Sequence, residues 1–100
     1  MSQKKPQKLE TEIVRVCPEF APQFRDDLLW WAKKNPKLWE RLWDLIKAVI
    51  QDPFSGMGKP EPLKHIGSNL WSRRINLEHR LVYRVEQNRI LFLQARYHYE

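Results

Sequence analysis

The chain has 100 residues, of which 42% are apolar, 30% charged and only three glycine; this composition folds around one modest core and excludes a second domain or a disordered chain. Its net charge is +6, and it is unevenly spread. Residues 1–57 carry ten Lys/Arg against eight Asp/Glu, whereas residues 58–100 carry eight against four, six of the eight being Arg. An Arg-rich half with aromatics reads as a surface for a polyanion, because the guanidinium offers planar, multi-donor contacts to phosphate; a merely solvated basic face is the plainer alternative.

The apolar run Leu28–Ala32 is too short to cross a bilayer, and no apolar stretch follows Lys4, Lys5 and Lys8 as a secretory signal would require. The single cysteine, Cys17, excludes an internal disulfide and a multi-cysteine zinc cage. The expected setting is a reducing cytoplasm, with no membrane partner, no cofactor and no metal site.

Residues 1–10 are expected to be a flexible N-terminal extension, and 11–100 a single domain. Glu12–Val16 alternates polar and apolar residues until Pro18, which predicts a short strand. From Phe20 the spacing becomes Phe20, Phe24, Leu28 and Trp31, the rhythm of one helix face. Asn35-Pro36 predicts the end of that helix and the start of another, with Asn35 as N-cap and Pro36 in the first turn. Leu38, Leu42, Leu45 and Val49, widened by Trp39, Trp43 and Ile46, form the apolar stripe of the second helix, which Asp52-Pro53 breaks.

Residues 53–62 hold two Gly and three Pro and predict an irregular loop. Gly58-Lys59 suggests a phosphate-cradling loop, but Pro53 stands where the earlier glycine belongs and Pro60 where Ser or Thr would bind magnesium. Three strand-like runs follow, Leu70–Asn76, His79–Val85 and Ile90–Tyr97, with connections short enough for hairpins. The expected class is α+β: two N-terminal helices packed on one face of a small, mainly antiparallel β-sheet.

Strand alternation then sorts the polar residues. Leu81, Tyr83 and Val85 share a face opposite Arg80 and Arg84. Leu91, Leu93, Ala95 and Tyr97 share another, leaving Gln94, Arg96 and His98 opposite. Arg74, Arg80, Arg96 and His98 are thus expected on a common open face. Arg73 falls with Trp71 on the other side unless a bulge or edge position re-aims it.

Such a face suits RNA cleavage, which needs a base for the 2′-OH proton, an acid for the leaving 5′-oxygen and cations against the pentavalent charge. Glu61 and Glu78 are candidate bases, and His98, His79 and His65 candidate acids. The residues alone do not choose among them.

The stretch Pro53-Phe54-x-Gly56-x-Gly58-Lys59-Pro60-Glu61-Pro62-Leu63-Lys64-His65, then Trp71-Ser72-Arg73-Arg74-Ile75, resembles the YoeB-type toxins of the RelE superfamily. Glu78-His79-Arg80-Leu81-Val82-Tyr83 and Arg96-Tyr97-His98-Tyr99 carry the same resemblance, almost continuously over residues 53–99, and Glu100 extends beyond it. The resemblance implies a microbial-ribonuclease-like fold and a metal-independent endonuclease acting on messenger RNA in the ribosomal A site. It implies Glu61 as general base, His98 as general acid, Arg80 as phosphate stabiliser and Tyr99 as a substrate-orienting residue. Lys59, Lys64, Arg73, Arg74 and Arg96 are the basic positions expected to meet RNA or the ribosome.

The implied partners are a cognate antitoxin of the YefM or Axe kind, the 70S ribosome and its message, with DNA reached only through the antitoxin complex. Homodimerisation of the free toxin stays open. Two other readings remain: a non-catalytic RNA- or ribosome-binding module of the same fold, and an interaction domain whose basic face holds an acidic partner.

Overall fold

Two prolines set the helical layer. In the computed structural model, Pro22 opens α1 (Pro22–Lys34) and Pro36 opens α2 (Pro36–Gln51), each in a first turn that has no use for the missing N–H. Between them Asn35 accepts the Leu38 N–H through its side chain at 3.2 Å, as a helix N-cap should. The structure describes residues 16–97. The expected extension over 1–10, most of the expected strand over 12–16, and His98, Tyr99 and Glu100 lie outside the described residues.

Five strands complete the fold: β1 (Cys17–Phe20), β2 (Glu61–Pro62), β3 (Leu70–Arg74), β4 (Arg80–Glu86) and β5 (Arg89–Gln94). Their order across the sheet is β1-β5-β4-β3-β2, with β1 parallel to β5 and every other pair antiparallel. The expected α+β architecture is the observed one. The helices pack their stripes (Phe24, Trp31, Leu42, Leu45, Val49) on Leu81, Tyr83, Ile90 and Phe92 of the sheet. No helix among the described residues is long and apolar enough to cross a membrane.

Three local expectations need correcting. Pro18 does not stop the first strand; it lies inside β1. The parallel ladder takes its donors from Cys17 and Ala21, which share one parity, so Pro18 turns its missing N–H outward from an edge strand. Phe20 accordingly belongs to β1 rather than to the helix, and reaches the core from there.

The third correction concerns the last strand. Tyr83 pairs with Phe92 and Val85 with Ile90, so Ile90 and Phe92, not Leu91 and Leu93, face the helices. A register shift between Val82 and Tyr83 inserts Leu93 as an extra residue, and the alternation flips after it. Beyond the bulge Ala95 is buried, as the simple alternation expected.

Candidate active site

The face of the sheet away from the helices is built row by row from strand register. Glu61 pairs with Ser72, Ser72 with Val82, and Val82 with Gln94, so these four share one row. Arg74 pairs with Arg80 in the next row on the same face. With strands about 4.8 Å apart and about 3.3 Å per residue, the Cα atoms of Glu61 and Arg80 lie roughly 12 Å apart. Ser72 and Val82, both buried, lie between them on that face. Among the described residues, Arg74 Nε and Arg80 Nη1 are buried donors with no hydrogen-bond partner, as are Trp43 Nε1 and Arg96 Nε.

Glu61 owes its place to the loop before it, and that loop is organised by Arg73. Arg73 is fully buried. Its Nε donates to the Tyr83 hydroxyl at 3.1 Å, Nη1 to the Met57 carbonyl at 3.1 Å, and Nη2 to the carbonyls of Asp52 and Ser55. The Tyr83 hydroxyl in turn donates to the Pro53 carbonyl at 2.6 Å. Arg73 therefore does not reach the face of the sheet away from the helices. Its parity with Trp71 holds, no bulge re-aims it, and its donors are consumed by the loop.

The second glycine of the loop follows from the same packing. Gly58 has φ +84, and a Cβ there would come 2.7 Å from Leu45 Cδ2 and 3.1 Å from Arg73 Cβ. Its carbonyl accepts the Arg74 N–H at 2.6 Å, so glycine lets the loop lie directly against β3. At the loop's start, Ser55 donates its hydroxyl to Asp52 at 2.7 Å and the Phe54 N–H donates at 3.0 Å. These bonds hold the Asp52 carboxyl below its ordinary value. From α2, Arg41 donates to the carbonyls of Ile75 and Arg74 at 2.8 and 3.1 Å and fixes the far end of β3.

The other expected residues are distributed as follows. Lys59 and Lys64 are exposed on either side of Glu61. Arg96 leaves the Arg74–Arg80 row: its guanidinium stacks on the Trp30 ring of α1, 3.9 Å from the centroid. His98 and Tyr99 lie outside the described residues. Among the alternatives, Glu78 and His65 are exposed, whereas His79 is buried, and its Nδ1 accepts the Tyr97 N–H at 2.8 Å.

Sequence reasoning missed Asp27, and it placed Trp31 on the helix face without its hydrogen bond. The buried Asp27 carboxylate accepts the Ala95 N–H at 2.8 Å and the Gln23 side chain at 2.8 Å, and Trp31 Nε1 donates to the Ala95 carbonyl at 2.7 Å. A signal was present. Asp27 sits three residues after Phe24 and four before Trp31, so a carboxylate interrupts the apolar stripe of α1 at a position that must be buried.

Residues 20–99 match the family described as YoeB-like toxin of bacterial type II toxin-antitoxin system. Over 74 residues the chain is 51% identical to Toxin YoeB of a Synechocystis species, covering 74% of this chain and 86% of that one. Among solved structures it is similar to the YoeB dimer from Staphylococcus aureus, with a TM-score of 0.77 and 37% identity over 85% of this chain and 99% of that one. It is also similar to the YoeB–YefM complex from Staphylococcus aureus, with a TM-score of 0.73, 38% identity and the same coverage.

Proposed function

The chain belongs to the YoeB-like toxins of bacterial type II toxin–antitoxin systems, and we propose that it acts as a ribosome-dependent endoribonuclease that cleaves messenger RNA in the A site and so blocks translation. Glu61 takes the proton from a 2′-OH as that oxygen bonds to phosphorus. Arg80, with Arg74 beside it, meets the negative charge of the five-coordinate phosphorus, and His98 protonates the 5′-oxygen as its bond to phosphorus breaks. Tyr99 orients the substrate, and Lys59, Lys64, Arg74 and Arg96 bind RNA or ribosome. Glu61, Arg74 and Arg80 take these roles from the resemblance and from their shared face; His98 and Tyr99 take theirs from the resemblance alone.

The observation that carries this reading is the register of β2, β3 and β4, which puts a carboxylate and two arginines on one face. The relative's complex with YefM supports a cognate antitoxin of that kind as the neutralising partner, and the relative's dimer supports self-association of the free toxin. DNA would be contacted only through the antitoxin.

The test is cleavage of messages on saturated, programmed ribosomes in a single turnover, alongside primer extension after induction in cells. The parent produces new ends within translated frames. Glu61→Gln slows cleavage by about 10²–10⁴-fold, the usual worth of a placed base. Arg80→Ala slows it by roughly 10²–10³-fold, and Arg80→Lys recovers part of that, because lysine keeps the charge but not the two-donor fork. Ribosome binding persists in all three. A parent that binds ribosomes and leaves the message whole is instead the non-catalytic module.

A further inference from the structure

After the bulge at Leu93, the end of β5 leaves the regular ladder and is held by other groups. Both backbone groups of Ala95 are taken by α1, through Asp27 and Trp31. The Arg96 carbonyl accepts the Gln94 side chain at 3.1 Å. At Tyr97 the N–H donates to His79 Nδ1 at 2.8 Å and the carbonyl accepts the Arg80 N–H at 3.1 Å. Tyr97 itself is left-handed, with φ +59, a conformation that a bulky residue adopts only where its surroundings impose it.

The two groups that impose this turn are consecutive. Arg80, the candidate phosphate stabiliser, is hydrogen-bonded through its own backbone to the residue that leads into position 98. His79, one residue earlier, holds the other backbone group of the same residue, its N–H. The imidazole is itself fixed: it is buried, with the Trp31 ring at 4.9 Å in an edge contact and the Tyr97 ring at 4.8 Å. Accepting from Tyr97 requires Nδ1 to carry no proton. A histidine in that role is spent on geometry and is not the acid.

We propose that His79 is a positioning residue for the C-terminal candidate acid, His98, acting by holding the left-handed turn at Tyr97 from which residue 98 departs. The inference rests on the endoribonuclease reading above. It makes the histidine of the β3–β4 connection part of the machinery without touching RNA: losing its acceptor frees the turn at Tyr97, the residue that precedes the candidate acid. Misplacing a reacting group by about 1 Å costs on the order of 10²-fold in rate.

Three substitutions separate acceptor from bulk. His79→Asn keeps an oxygen the same number of bonds from Cα as Nδ1, His79→Gln moves that oxygen one carbon outward, and His79→Leu keeps volume without an acceptor. In single-turnover cleavage on saturated ribosomes, His79→Leu and His79→Gln are expected to be about 10–100-fold slow with half-saturation unchanged, while His79→Asn stays within about 3-fold of the parent. If His79→Leu does not fold, the Asn–Gln pair decides. The second readout is coupling: with His98→Ala already present, His79→Gln should have no further effect, because it acts through a group that is gone.

Equal rates for the Gln, Asn and parent proteins overturn the inference, as does a His79→Gln penalty of the same size in the His98→Ala background. If the parent cleaves but His98→Ala cleaves equally well, the acid assignment fails and the positioning role goes with it. A parent that does not cleave at all overturns the endonuclease reading first.

Discussion

Replacing Arg73 by methionine should cost far more stability than the same change at its neighbour Arg74. Methionine keeps a flexible apolar stem of similar length and removes every donor. The Tyr83 hydroxyl and the carbonyls of Asp52, Ser55 and Met57 then lose their partner. Each bond to a charged donor is worth about 1.5–3 kcal/mol, but the three carbonyls belong to an exposed loop where water replaces part of the loss. The buried hydroxyl loses the donor at its oxygen and keeps only its own bond to the Pro53 carbonyl. The expected net cost is about 3–5 kcal/mol, comparable to removing one member of a buried charged network.

At about 4–8 °C per kcal/mol for a domain of this size, Arg73→Met should lower Tm by about 12 °C or more. Arg73→Lys, with one ammonium to serve four acceptors, should fall between. Arg74→Met, whose side chain makes no hydrogen bond among the described residues, should stay within about 0.5 kcal/mol of the parent. Thermal melts followed by circular dichroism measure all three, and limited proteolysis reports on the loop over residues 52–59. If Arg73→Met melts within about 4 °C of the parent, or Arg74→Met falls as far, the guanidinium is not the keystone of that loop.

Two further outcomes rest on the same cluster. Gly58→Ala should destabilise the fold by about 2–4 kcal/mol, since its Cβ would come 2.7 Å from Leu45 Cδ2 at φ +84, whereas Gly67→Ala, 3.1 Å from the flexible end of Leu70 and without a positive φ, should cost much less in the same melts. Burial pushes the Tyr83 phenol above its ordinary value of 10, against the opposing pull of Arg73; a group whose pKa is raised by folding stabilises fully below its unfolded value, so this contribution should hold to about pH 10 and fall as pH rises through the raised value, and a Tyr83→Phe protein with the same alkaline slope as the parent would refute it.

How much was legible in the residues follows the range of the forces involved. The Asn35-Pro36 boundary, the end of α2 before Pro53 and the glycine-proline loop are written in caps and breakers that act within one turn of chain, and they appear where expected. The α+β class follows from switching periodicities. The family's blocks also singled out Glu61, Arg74 and Arg80, which fall on one face.

What failed was long-range. Alternation assumes an unbroken register, and one bulged residue, Leu93, reversed which side chains of β5 meet the core. The parallel pairing of β1 with β5 joins residues some seventy positions apart, so Pro18 read as a stop when the tertiary fold makes it a tolerated edge residue. Arg73 and Arg74 are adjacent and chemically identical, yet one lies inside and the other on the face away from the helices. Neighbouring residues on a strand point to opposite faces, and only the packing of the 52–58 loop supplies the acceptors that let a guanidinium be buried there.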